Sequence, residues 1–174
     1  TLGFEIIAKY VGDSEKAVRL MRQLAYDSGG SGMIAGQMAD LRSENIEGDI
    51  ELLRYIHNNK TAKMFRCAAV MGGVAGGGSD DQIESLGDYG LKIGLGFQIA
   101  DDILDVCSNS AELGKTVGKD EQAGKLTYPS LVGIEESRRL GRELSEEAIV
   151  CLDVFGDEAD LLRKLAEELL DRTN

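Results

Sequence analysis

An all-α fold is predicted for this 174-residue chain by three observations. Aromatic residues make up only 5%, Trp is absent and there is a single Pro, which disfavours a β-sandwich or barrel. Apolar residues recur three or four positions apart, most clearly between 80 and 106. Short breaks containing Gly or Asp separate such stretches, without an internal repeat, low-complexity tract or Pro-rich linker. With 43% hydrophobic residues the chain can build one core, so a single domain over 1–174 is expected.

Helices are expected at 3–11, 14–28, 33–43, 48–76, 80–106, 129–152 and 157–171. The first begins within an amphipathic pattern, and the opening residue is Thr rather than Met, so residues upstream are expected. Gly29-Gly30-Ser31-Gly32 precedes the third, on which Met33, Gly36, Gln37 and Asp40 share a face. On the fourth, His57, Lys60, Thr61 and Met64 share one too, with Lys60-Thr61 able to bind phosphate; no role is assigned to the lone His57. Gly72-Gly73 and Gly76-Gly77-Gly78 read as close helix packing followed by a C-cap. Ser79 caps the fifth helix, with Asp80, Asp81 and Glu84 in its first turn where the macrodipole favours negative charge. Its core stripe is Ile83, Leu86, Gly90, Ile93, Phe97, Ala100 and Leu104. Pro129 suits the first turn of the sixth helix. Between them runs a connection of about 22 residues, 107–128, holding Gly114, Lys115, Gly118, Lys119, Gly124 and Lys125; loops that long are usually functional or disordered.

The charge balance excludes several functions. With a net charge of -12 and no Lys/Arg cluster, binding to nucleic acid or an anionic membrane is not expected, and cations are the favoured partners. Cys67, Cys107 and Cys151 lack CxxC or Cys/His spacing, which speaks against a disulfide framework or zinc site and fits a reducing compartment. No apolar run reaches the roughly 18 residues of a membrane span. A P-loop and a GxSxG elbow are both missing, so neither nucleotide binding of that type nor acyl hydrolysis is supported.

Beside the stripe of the fifth helix, Gln98, Asp101, Asp102 and Asp105 fall at i, i+3, i+4 and i+7, on one face about 100° wide. Like charges at these spacings repel, and Asp is a poor helix former, so a bound cation is expected to offset the cost. Mg²⁺ favours one or two carboxylates together with waters and substrate phosphates, which makes a phosphate ester the best-fitting ligand. Lys115, Lys119 and Lys125, set among glycines, offer the positive charge to meet it. The plainer alternatives are a solvated acidic face or a helical bundle binding Ca²⁺.

Phe97-Gln98-Ile99-Ala100-Asp101-Asp102-Ile103-Leu104-Asp105, followed by Leu113-Gly114-Lys115, Gly118-Lys119-Asp120, Lys125 and Thr127-Tyr128-Pro129, resembles the second aspartate-rich region of trans-prenyl diphosphate synthases, the farnesyl/geranylgeranyl diphosphate synthase family. Gly32-Met33, Gly36-Gln37, Asp40-Leu41 and Lys60-Thr61 recur in that order in the same family, so the resemblance covers essentially the whole chain.

The resemblance implies an antiparallel helix bundle of the isoprenoid synthase type around a central cavity, here incomplete at its N-terminus. It implies Mg²⁺ as cofactor, held by Asp101, Asp102 and Asp105, with Lys60, Lys115 and Lys125 around an allylic diphosphate. It places Thr61 and Gln98 beside the reacting carbons, with Lys60 and Lys115 also in the catalytic set, and Gln37 and Asp40 along the substrate cavity. The implied reaction is head-to-tail condensation of isopentenyl diphosphate with the allylic diphosphate, in a cytoplasmic homodimer, with the plastid as the alternative location. The family's first aspartate-rich motif is not in these residues, so the chain is expected to be the C-terminal part of a longer enzyme and inactive alone. The main competing reading is a non-catalytic partner subunit of a heteromeric prenyl diphosphate synthase. A terpene cyclase or squalene synthase relative is disfavoured, because such enzymes are not expected to combine the acidic run with the Gly/Lys segment and Thr-Tyr-Pro.

Overall fold

The structure is a computed structural model and describes residues 1–43, 48–113 and 126–171. The described residues are helical, without strands. Helices α1 (Leu2–Tyr10), α2 (Ser14–Ser28) and α3 (Met33–Ser43) lead to α4 (Ile50–His57). A π-helical turn over Asn58–Ala62 joins α4 to α5 (Lys63–Gly76). The long α6 (Asp80–Leu113) follows, then α7 (Tyr128–Val132), α8 (Ile134–Cys151), a 3₁₀ stretch (Asp153–Ala159) and α9 (Asp160–Asp171).

Helix α6 is the centre of the bundle, with α5 on one side and α8 on the other. Glycines set the first contact: a Cβ on Gly94 would lie 2.5 Å from Ala62 Cα, and one on Gly90 would lie 2.7 Å from Arg66 Cα. Farther along, a Cβ on Gly73 would meet Leu86, so the numbers rise on one helix as they fall on the other and the pair is antiparallel. On the α8 side, the Ser85 hydroxyl donates to the Cys151 carbonyl and Gly96 faces Leu144, again antiparallel. Three apolar clusters result among the described residues. Ile7, Leu20, Val70 and Ile83 join α1, α2, α5 and α6; Leu86, Ile93, Ala148 and Ala166 join α6, α8 and α9; Leu53, Ile99, Ile103 and Tyr128 join α4, α6 and α7.

Helix ends follow local chemistry. The Asp13 carboxylate accepts from the Glu15 and Lys16 amides at the start of α2, and Asp49 accepts from Leu52 N–H at the start of α4. Ser79 and Gln82 exchange hydrogen bonds at the start of α6, as expected of a capping residue. Gly77, at φ 78°, ends α5 in the left-handed conformation expected of a C-cap.

Three expectations are corrected. The helix predicted at 48–76 carries the π turn, in which the Lys63 amide bonds to Asn58 O, five residues back. The helix predicted at 129–152 is two, because Gly133 adopts φ 85° between α7 and α8. The connection predicted at 107–128 is shorter, since α6 runs to Leu113 and a Thr127–Ser130 capping box starts α7.

Below α5, fully buried Asp27 accepts from Arg66 Nη1 at 2.9 Å and Gln23 Nε2 at 2.5 Å. Burial, aided by Asp27 and opposed by Arg66, pushes the neighbouring Cys67 thiol up to about 11. Because only the thiolate reacts, Cys67 should be the slowest of the three cysteines to take up iodoacetamide at pH 8. Peptide mapping that finds Cys67 labelled as fast as Cys107 contradicts this.

Candidate functional site

The site forms where the π turn meets α3 and α6. A π turn inserts one residue into the helical repeat and rotates the side chains that follow it, so the face expected to carry His57, Lys60, Thr61 and Met64 together is divided. Lys60 turns to α3, with Nζ 2.5 Å from Asp40 Oδ2. Thr61 turns to α6, its hydroxyl donating to Gln98 Oε1 at 2.9 Å. His57 also turns to α6, with Nε2 3.8 Å from Asp102 Oδ2. His57 and Thr61 on one strand of the contact thus face Asp102 and Gln98 on the other, a two-rung antiparallel ladder.

Close backbone approach makes this geometry. A Cβ on Gly36 would sit 2.2 Å from Lys60 N and 2.7 Å from Lys60 Cα, so α3 lies directly on the π turn. That contact lets Asp40, one turn later on α3, reach Lys60. Both side chains of the pair remain about one-third exposed, at 37% and 33%. Such a pair contributes little to stability and can open to receive a more highly charged anion. Gln37, on the same helix, is exposed.

Along α6 the three acids diverge. Asp101 is half-buried and Asp105 exposed, one turn apart on the open side. Asp102 is 1% exposed, and its Oδ2 accepts from the Tyr128 amide at 3.0 Å. The 100° width of the predicted face is the reason: Asp101 and Asp102 occupy its opposite edges, and the edge holding Asp102 is covered by α4 and α7. Among the described residues, no three His, Cys, Asp or Glu side chains converge to hold a metal. The fit to Mg²⁺ therefore rests on two carboxylates one turn apart, one half-buried and one exposed, a set suited to an ion that keeps waters and takes substrate phosphates.

Two residues carried more than their sequence context revealed. Nothing around His57 marked it for the contact with Asp102, and Tyr128 is buried, its ring 5.5 Å from the imidazole. Burial raises the Tyr128 hydroxyl above its ordinary value, with Arg54 opposing. Lys115 and Lys125, expected around a diphosphate, lie outside the described residues. A cleft of about 310 Å³ lined by Arg19, Gln23, Arg66, Asp80, Glu84 and Asp88 lies elsewhere, between α2, α5 and the start of α6. Asp88 precedes Asp101 by roughly 20 Å of helix, so that cleft is separate from the site. No described helix is long and apolar enough to cross a membrane.

The family model for polyprenyl synthetase matches residues 1–167. Geranylgeranyl pyrophosphate synthase 11, chloroplastic, of Arabidopsis thaliana is 45% identical over 164 residues, covering 92% of this chain and 46% of that protein. An FPP/GFPP synthase from Zymomonas mobilis has a similar structure, with TM-score 0.82 and 33% identity over 97% of this chain and 56% of that one. A geranyltransferase from Helicobacter pylori, complexed with magnesium and isoprenyl diphosphate, gives TM-score 0.76 and 34% identity over 97% of this chain and 55% of that one. The chain spans about half the length of these relatives. A family model that matches nearly the whole chain, relatives at 45% identity and solved structures of the same fold agree, and the chain belongs to the polyprenyl synthetase family of trans-isoprenyl diphosphate synthases.

Proposed function

We propose that the protein is a trans-prenyltransferase that condenses isopentenyl diphosphate head-to-tail with an allylic diphosphate. The observation that carries this reading is the Thr61–Gln98 hydrogen bond, which sets Thr61 against α6 one turn before Asp101, while the adjoining Lys60 faces Asp40 on α3. A cation for phosphate and a pair of neutral oxygens thus come from neighbouring residues of the π turn, and the acids follow along α6.

In the proposed reaction the allylic C–O bond breaks, leaving an allylic cation and a diphosphate. The isopentenyl double bond attacks the cation to form the new C–C bond, and a proton then passes to the departing diphosphate, so no side-chain base is needed. Lys60, with Lys115 and Lys125, compensates charge developing on that leaving group. Because the Thr61 hydroxyl donates its proton to Gln98 Oε1, both oxygens keep lone pairs, and these favour the cation. Asp101 and Asp105 would hold Mg²⁺, which when bound supplies further positive charge at the diphosphate. Gln37 and Asp40 border the substrate on α3, with Asp40 holding Lys60 in place until the anion arrives.

Two copies are the proposed assembly, supported by exposed Tyr26, Ile34, Met38 and Leu41 on α2 and α3. The chloroplastic relative supports a plastid address over the cytoplasm. The acids and Lys60-Thr61 are all retained, which favours a catalytic chain over a non-catalytic partner subunit.

Calorimetric titration with inorganic diphosphate in the presence of Mg²⁺ tests the reading. Lys60→Ala is expected to weaken binding about tenfold, the loss of one charged hydrogen bond. Equal binding by wild type and variant removes Lys60 from the site.

A further inference from the structure

The second acid of the run is buried, unlike the two beside it. Asp102, His57 and Tyr128 are 1%, 5% and 4% exposed, and each belongs to a different helix. They meet at one atom: Asp102 Oδ2 accepts from the Tyr128 amide at 3.0 Å and lies 3.8 Å from His57 Nε2. Tyr128 packs in the buried apolar cluster of Leu53, Ile99 and Ile103. A carboxylate in such a place is costly unless hydrogen-bonded, and this one accepts from the Tyr128 amide of α7 with the His57 imidazole of α4 beside it.

Residues on a helix turn by 100° per position, so fixing the direction of Asp102 fixes that of every neighbour. With Asp102 pinned inward, Asp101 and Asp105 are left half-buried and exposed on the open side, and Gln98 meets Thr61. We infer that Asp102 is a positioning residue, not a third metal ligand: held by the Tyr128 amide and His57, it sets the rotation of α6 that presents Asp101, Asp105 and Gln98 to the diphosphate. The consequence for ligand binding rests on the prenyltransferase reading; the anchoring itself does not.

Two readouts on the full chain test this. Amide hydrogen exchange at Tyr128 reports the anchor, with α8 amides as the control for global unfolding. Mn²⁺ binding in the presence of inorganic diphosphate, followed by electron paramagnetic resonance, reports the metal face. In Asp102→Ala the Tyr128 amide should exchange at least about tenfold faster while α8 is unchanged, and Mn²⁺ binding should weaken. Asp102→Asn keeps an acceptor oxygen of nearly the same shape and should restore Mn²⁺ affinity to within about threefold of wild type. Asp101→Asn should do the reverse, losing at least about tenfold in Mn²⁺ affinity with Tyr128 exchange unchanged. His57→Gln should speed Tyr128 exchange less than Asp102→Ala does.

The inference is overturned if Asp102→Asn loses Mn²⁺ as completely as Asp101→Asn, or if Tyr128 exchange in Asp102→Ala matches wild type. Should wild type bind no Mn²⁺ with diphosphate, the prenyltransferase reading fails, and the exchange measurement still decides whether Asp102 is the anchor.

Discussion

Asp101→Ala is expected to lower Mg²⁺-dependent turnover of the full-length gene product by roughly 100-fold or more, the scale of losing a main electrostatic contact to a developing leaving group. The same change should leave the fold as stable as before, or slightly more so. Asp101 lies in the middle of α6, far from the N-terminal turn where acids are favoured, and alanine is the better helix former there. Its carboxylate also sits next to Asp102 and one turn from Asp105, so removing it relieves like-charge repulsion along the helix. Lost activity together with undiminished stability is the mark of a residue kept for function rather than for folding. Asp105→Ala should also lower turnover. Thermal melting by circular dichroism alongside the turnover assay checks both halves, and turnover within threefold of wild type removes Asp101 from the site.

Gly36→Ala is expected to have the opposite signature, a large loss of stability with the chemistry damaged as a consequence. The new methyl would lie 2.2 Å from Lys60 N, 2.7 Å from Lys60 Cα and 2.8 Å from Asn59 C, all backbone atoms that cannot rotate aside. Relief requires α3 to move off the π turn. Alanine gains intrinsic helix propensity of about 1 kcal/mol over glycine, but overpacking against rigid backbone outweighs it, for a net destabilisation of about 2 kcal/mol. Moving α3 also carries Asp40 away from Lys60, so diphosphate affinity should fall with stability. A urea midpoint equal to that of wild type contradicts the close approach on which the site geometry depends.

Much of the architecture is written in local patterns. Both ends of α2 and the start of α3 fall at the predicted residues, Ser79 caps α6 as expected, and Gly77 closes α5, because each is decided by residues within a few positions. The π turn left no such trace: Asn58–Ala62 are ordinary residues for a helix, and the extra residue is accommodated through tertiary contacts with α3 and α6. Periodicity therefore placed His57, Lys60 and Thr61 on one face where the structure sends Lys60 to α3 and the other two to α6. The same limit explains Asp102. Its spacing admitted it to the acidic face, but which edge of that face is covered depends on α4 and α7, and a single helix carries no record of its neighbours. The contributions of Lys115 and Lys125 rest on sequence, since both lie outside the described residues.

The central claim is tested most directly by supplying the full-length gene product with Mg²⁺, isopentenyl diphosphate and, separately, dimethylallyl, geranyl or farnesyl diphosphate, then sizing the products by mass spectrometry. The account predicts prenyl diphosphates longer than the allylic substrate by whole five-carbon units, formed with wild type and nearly abolished by Asp101→Ala. Unextended substrate in every reaction, from protein shown to be folded, would contradict the prenyltransferase reading and leave a non-catalytic partner subunit in its place.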